Sequence, residues 1–116
     1  MRVLVVDDEI DTAETLAEVL ETMGHVVRTA PDGVHALAAA ADFAPEVVLL
    51  DLGLPGMDGF EVARRLRAQP TSSSMRLIAV TGYGQDLDRK NTERAGFDAH
   101  MVKPLKLAAL EQLLGR

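Results

Sequence analysis

Short apolar runs that each end in a polar residue, separated by longer amphipathic stretches, constrain this chain more than any other feature. Val3-Leu4-Val5-Val6 leads into Asp7 and Asp8, and Val47-Val48-Leu49-Leu50 leads into Asp51. Leu77-Ile78-Ala79-Val80 leads into Thr81, and the run from Ala99 to Val102 leads into Lys103. Such alternation is the pattern of βα units around a parallel sheet. Runs that are apolar throughout fit a sheet covered by helices on both faces. The expected fold class is therefore α/β with three layers and five βα units.

The first strand is expected over residues 2 to 7 and a helix over 10 to 23, where Ile10, Ala13, Leu16, Ala17 and Leu20 mark one face at helical spacing. Gly24 stops that helix. A second strand over 26 to 30 ends in the Pro31-Asp32-Gly33 turn, followed by an alanine-rich helix over 34 to 42. The third strand, 46 to 51, opens into a loop of turn-formers, Gly53, Pro55, Gly56, Asp58 and Gly59, before a helix carrying Val62, Ala63 and Leu66. Residues 69 to 75 read as a linking loop inside one domain. The fourth strand is expected over 76 to 81, a helix over 87 to 95 with Gly96 as its stop, the fifth strand over 99 to 102, and a last helix over 106 to 114.

With 116 residues, the chain is expected to be a single domain spanning 1–116. Hydrophobic residues make up 47% of it but aromatic ones only 3%, so the core is aliphatic. A net charge of −6 without any basic stripe argues against direct nucleic-acid binding. The absence of cysteine rules out disulfides, thiolate metal sites and cysteine nucleophiles, and agrees with a cytoplasmic location. Acids at Asp7 and Asp8 break the first apolar run too early for a signal-peptide core. No run approaches the ~18 residues of a membrane span, so no membrane insertion by this domain is expected.

Strand ends of a parallel sheet share one edge, where ligands bind, so Asp7, Asp8, Asp51, Thr81 and Lys103 are expected to converge. An acidic cluster is costly through repulsion and desolvation unless a cation is bound, and oxygen ligands suit Mg²⁺ or Mn²⁺. The constellation reads as a metal-assisted phosphoryl site. Each member has a plainer reading. Asp7 and Asp8 could cap the first helix, Thr81 favours strands anyway, and Lys103-Pro104 could be a simple turn, although X-Pro bonds can be cis. Asp51 is hardest to explain structurally, because an acid ending a buried strand is desolvated without compensation. His25, His35 and His100 lack metal-ligand spacing.

Taken in order, Val-Asp7-Asp8-Glu9, Leu-Leu-Asp51-Leu-Gly-Leu-Pro55-Gly-Met-Asp58-Gly59, Val-Thr81-Gly82 and Val-Lys103-Pro104 resemble the receiver domains of two-component response regulators, across essentially the whole chain. The resemblance implies a flavodoxin-like (βα)5 sandwich with sheet order 2-1-3-4-5. It implies Asp51 as phospho-acceptor, with Thr81 bonding a phosphoryl oxygen and Lys103 neutralising phosphoryl charge. Mg²⁺ (or Mn²⁺) would be held by Asp7 or Asp8, with Asp8 favoured as the direct ligand, by Asp51 and by the backbone carbonyl of Gly53. The implied partner is a histidine kinase or histidine phosphotransfer protein, and the implied output surface is helix 4, strand 5 and helix 5, which could also form a weak homodimer. The domain would catalyse its own phosphorylation and dephosphorylation without turning over a separate substrate. Thr81-Gly-Tyr-Gly-Gln85 and Gly96 to Pro104 further resemble receivers attached to hybrid sensor kinases.

Two positions depart from the family pattern. His100 stands where an aromatic ring usually acts as a switch with Thr81. Gly82 and Gly84 flank Tyr83, giving that loop extra backbone freedom. Pro104 completes the expected supporting set. The rival readings are a phosphorylation-independent interaction module, an aspartyl-nucleophile phosphatase of haloacid dehalogenase type and a flavodoxin-like nucleotide domain. The phosphatase would want a second Asp where Gly53 stands, and the nucleotide domain would place phosphate where Asp7-Asp8-Glu9 repel it.

Overall fold

The computed structural model describes residues 1–54, 56–70, 74–82 and 89–114. Five βα units follow one another: β1 (Arg2–Val6), α1 (Ile10–Thr22), β2 (Val26–Ala30), α2 (Gly33–Phe43), β3 (Val47–Asp51), α3 (Gly59–Arg67), β4 (Arg76–Thr81), α4 (Arg89–Ala95), β5 (Ala99–Val102) and α5 (Leu107–Leu114). All strand pairs are parallel and the sheet order is β2-β1-β3-β4-β5, as the resemblance implied. Gly24 and Gly96 end their helices with φ of 96° and 101°, a conformation that glycine adopts without steric cost.

Side chains alternate between faces along each strand, and this divides the core in two. Leu4, Val6, Val48, Leu50, Leu77 and Ala79 pack with Ala36 and Ala40 of α2 and with Val62, Ala63 and Leu66 of α3. Val3, Val5, Val47, Leu49, Ile78, Val80 and Met101 pack on the other face with Ala13 and Leu20 of α1 and Leu110 and Leu114 of α5. Full burial of each Val, Leu, Ile or Met side chain among them contributes on the order of 1.5–3 kcal/mol. The alternation also places the site. Continuing past Val5, Leu49 and Met101, residues Asp7, Asp51 and Lys103 fall on the α1–α5 side, whereas Thr81, two beyond Ala79, falls on the α3 side.

One helix reading changes, and one falls outside the described residues. The sequence spacing put Ile10 on the buried face of α1, but it is 65% exposed. β1 ends at Val6, so the first turn of α1 overhangs the sheet edge and has no strand beneath it. The described part of α4 starts at Arg89, and the expected start at 87 and Tyr83 lie outside the described residues.

Candidate phosphoryl-acceptor site

β1 and β3 are neighbours, so their ends bring Asp7 and Asp51 together, and the β5–α5 connection brings in Lys103. The Lys103 ammonium donates to Asp7 Oδ2 at 3.0 Å and to Asp51 Oδ2 at 3.1 Å. Both acids are buried, at 6% and 8% exposure, while Asp8 is exposed. The Lys103–Pro104 peptide is cis.

The second carboxylate oxygens have separate partners. Asp51 Oδ1 accepts the Gly53 N–H at 2.8 Å, and Asp7 Oδ1 accepts the Glu9 N–H at 3.0 Å. Glu9 itself occupies the N-cap position of α1 and makes no side-chain cap bond. Helix capping therefore does not account for Asp7 and Asp8.

Carboxylate oxygens of Asp7, Asp8 and Asp51 all come within 4.8 Å of one another. At that spacing two carboxylates near a protein surface repel by roughly 3 kcal/mol. Among the described residues three carboxylates cluster and one ammonium bonds two of them, so the group retains a deficit of positive charge that a divalent cation would fill. Three convergent carboxylates are a hard, all-oxygen donor set, which fits Mg²⁺ or Mn²⁺.

Lys103 responds to the same surroundings. Burial is the largest single influence and lowers its pKa, but the hydrogen bonds it donates to Asp7 and Asp51 and the charges of both acids together outweigh it. The net shift is upward, which keeps the ammonium protonated.

The other expected site residues are placed less centrally. Thr81 is 1% exposed at the end of β4, with its hydroxyl 3.5 Å from the Met101 carbonyl oxygen. Gly53 follows Asp51 in the same turn. His100 is exposed on β5, opposite Ala79 in register. β5 is an edge strand, so His100 has a strand neighbour on one side only. A feature the sequence did not reveal is an open groove of about 770 Å³ that runs from Asp7 and Asp51 between α1 and α5, lined by Leu16, Val19, Leu105 and Leu110.

The family model described as "Response regulator receiver domain" matches residues 3–115. The chain is 36% identical to an uncharacterised 14.6 kDa protein of Leptolyngbya boryana, covering 98% of this chain and 87% of that protein. It is also 36% identical to the two-component response regulator PhoP of Pseudomonas aeruginosa, covering 98% of this chain but 50% of the regulator. Among solved structures, the chemotaxis protein CheY4 of Vibrio cholerae superposes with a TM-score of 0.89 at 29% identity, covering 97% of this chain and 94% of that one. The chain therefore belongs to the receiver-domain family of two-component response regulators. It spans about half the length of several curated regulators it matches, among them PhoP. Among the described residues, no helix is long and apolar enough to cross a membrane.

Proposed function

We propose that this receiver accepts a phosphoryl group on Asp51 from the phosphohistidine of a histidine kinase or histidine phosphotransfer protein, in a Mg²⁺-dependent reaction in the cytoplasm. The observation that carries this reading is the convergence of Asp7, Asp8 and Asp51 within 4.8 Å, with one lysine bonded to both Asp7 and Asp51. An Asp51 carboxylate oxygen attacks phosphorus, the P–N bond of the donor breaks, and its electron pair returns to the imidazole nitrogen. Ionised carboxylate is already the nucleophile, so no general base is needed.

The chain's own residues contribute position and charge. Lys103 offsets negative charge on the transferring group. The Gly53 N–H fixes the plane of the Asp51 carboxylate through Oδ1. A Mg²⁺ ion held by Asp8, Asp7, Asp51 and the Gly53 carbonyl would neutralise further phosphoryl charge.

The acyl phosphate adds charge and acceptor oxygens beside Thr81 and Lys103 and biases the surface of α4, β5 and α5. Thr81, Tyr83, His100 and Pro104 are the residues assigned to that response. The same surface, where Val102 is 48% exposed on β5, is assigned to weak homodimer formation and to output. With a net charge of −6, the domain itself does not contact nucleic acid.

The test is a transfer chase from a donor carrying radiolabelled phosphohistidine. Label should move to the wild-type chain only with Mg²⁺ present, and should not move to Asp51→Asn. Labelling of that variant would overturn the assignment of Asp51. Labelling of the wild type by acetyl phosphate but by no phosphohistidine donor would overturn the assignment of the partner class alone.

A further inference from the structure

Gly59 opens α3 and lies against Leu52, the residue that follows the acceptor. A Cβ at this position would lie 2.7 Å from Leu52 Cδ2, 3.1 Å from Leu52 Cα and 3.6 Å from the Asp51 carbonyl oxygen. The first contact could relax by turning the Leu52 side chain. The second could not, because it is made by main chain.

Leu52 is held from both sides. Its N–H donates to the Val80 carbonyl at 2.9 Å, and the next N–H, that of Gly53, donates to Asp51 Oδ1 at 2.8 Å. A displacement at Leu52 Cα therefore reaches the Gly53 carbonyl and the Asp51 carboxylate within one residue. Gly59 is not among the glycines with positive φ, so the requirement at this position is for space and not for backbone freedom.

We propose that Gly59 is a positioning residue for the cation: by lacking a Cβ, it lets α3 seat the Asp51–Gly53 backbone where Mg²⁺ coordination needs it. This inference rests on the Mg²⁺-dependent reading of the site given above. Mg²⁺ demands near-octahedral geometry at ~2.0–2.1 Å, whereas Ca²⁺ accepts flexible arrangements at ~2.3–2.6 Å. A backbone shift of a few tenths of an ångström, the size a Cβ would force here, should therefore penalise Mg²⁺ more than Ca²⁺. General loss of stability would not change the ratio between the two ions.

A matched control exists in the same fold. A Cβ at Gly33 would lie 2.7 Å from Val62 Cγ2 and 3.2 Å from Met57 Cβ, a comparable crowding whose nearest contacts include no atom of the Asp51–Gly53 segment.

The experiment is calorimetric titration of Mg²⁺ and Ca²⁺ into the wild-type chain, Gly59→Ala and Gly33→Ala. Gly59→Ala should bind Mg²⁺ roughly tenfold more weakly, the lower end of what lost support around a metal costs, and Ca²⁺ no more than about threefold more weakly. Gly33→Ala should bind both ions as the wild type does. Unchanged Mg²⁺ affinity in Gly59→Ala, or equal losses for the two ions, would overturn the inference while leaving the metal site standing. A wild-type chain that binds no Mg²⁺ would instead overturn the site itself, and the inference with it. Should Gly59→Ala fail to fold, the double variant Leu52→Ala/Gly59→Ala removes the overlap at Leu52 Cδ2 and keeps the main-chain crowding at Leu52 Cα. It should also weaken Mg²⁺ more than Ca²⁺, and an unchanged ratio there would count against the inference.

Discussion

The two edges of the sheet handle charge in opposite ways. At the edge where strands begin, charges are matched. The Arg67 guanidinium donates to the Gly96 carbonyl at 2.9 Å, to the Met75 carbonyl at 2.6 Å and to Asp98 Oδ2 at 2.6 Å, and Asp98 Oδ2 also accepts the Leu77 N–H. Arg2 donates its backbone N–H to Glu46, and Arg76 donates to the Leu113 carbonyl. At the edge where strands end, three carboxylates cluster and, among the described residues, one lysine bonds two of them. The first arrangement stabilises the fold on its own. On the proposed reading, the second would give up stability until a cation and a phosphoryl group completed it, which is how a functional site departs from the rules its scaffold obeys.

If this contrast holds, removing a charge should have opposite consequences at the two edges. Arg67→Ala is expected to give the largest effect, a loss of about 2–3 kcal/mol in denaturant unfolding. It leaves part-buried carbonyls and the Asp98 carboxylate without their shared donor. Phosphorylation of Asp51 by acetyl phosphate should still go to completion in the folded variant. A loss below about 0.5 kcal/mol, the range of ordinary surface changes, would show that the clamp is decorative.

Asp8→Asn should move the other way. It removes one charge from the crowded edge, and because Asp8 is exposed the gain is discounted for solvent screening to about 1 kcal/mol without metal. Mg²⁺ affinity should fall at the same time. Thermal melts and Mg²⁺ titration of the same variant check both signs, and stability falling together with affinity would contradict the contrast.

The smallest effect concerns Asp32, which lies among the strand ends but is satisfied internally. Its carboxylate caps α2 by accepting the His35 N–H at 2.8 Å, and it also meets the His35 ring. The backbone bond first, and the ring second, hold its pKa below the ordinary 3.8. A depressed folded-state pKa means that this contribution is present above the unfolded value and is lost as pH falls through the folded one. Asp32→Ala should therefore lower the melting temperature slightly at neutral pH and converge with the wild type in strong acid. A gap between the two melts that persists unchanged into strong acid would contradict the assignment.

The carboxyl edge was legible in the sequence for a physical reason. Apolar runs fix strand phase, and each run ends in the residue that the phase delivers to the shared edge. Strand limits differed by a residue at most: β1 stops at Val6 instead of 7, and β3 starts at Val47 instead of 46. The amino edge was not legible, because Arg67 reaches backbone carbonyls of Met75 and Gly96, and a carbonyl acceptor leaves no mark on residue type. The unequal burial of Asp7 and Asp8 was likewise hidden, since neighbours in sequence differ only by which side of the chain they leave. Ile10 misled because helical spacing says which residues share a face, not whether a strand lies beneath that face.

The most direct test of the central claim is the intact mass of the chain after treatment with acetyl phosphate, with Mg²⁺ or with excess chelator. Wild type should gain one phosphoryl group only with Mg²⁺, and Asp51→Asn should gain none under either condition. Full phosphorylation of the wild type in chelator, or persistent labelling of Asp51→Asn, would contradict the account of the carboxyl edge as a metal-completed acceptor site.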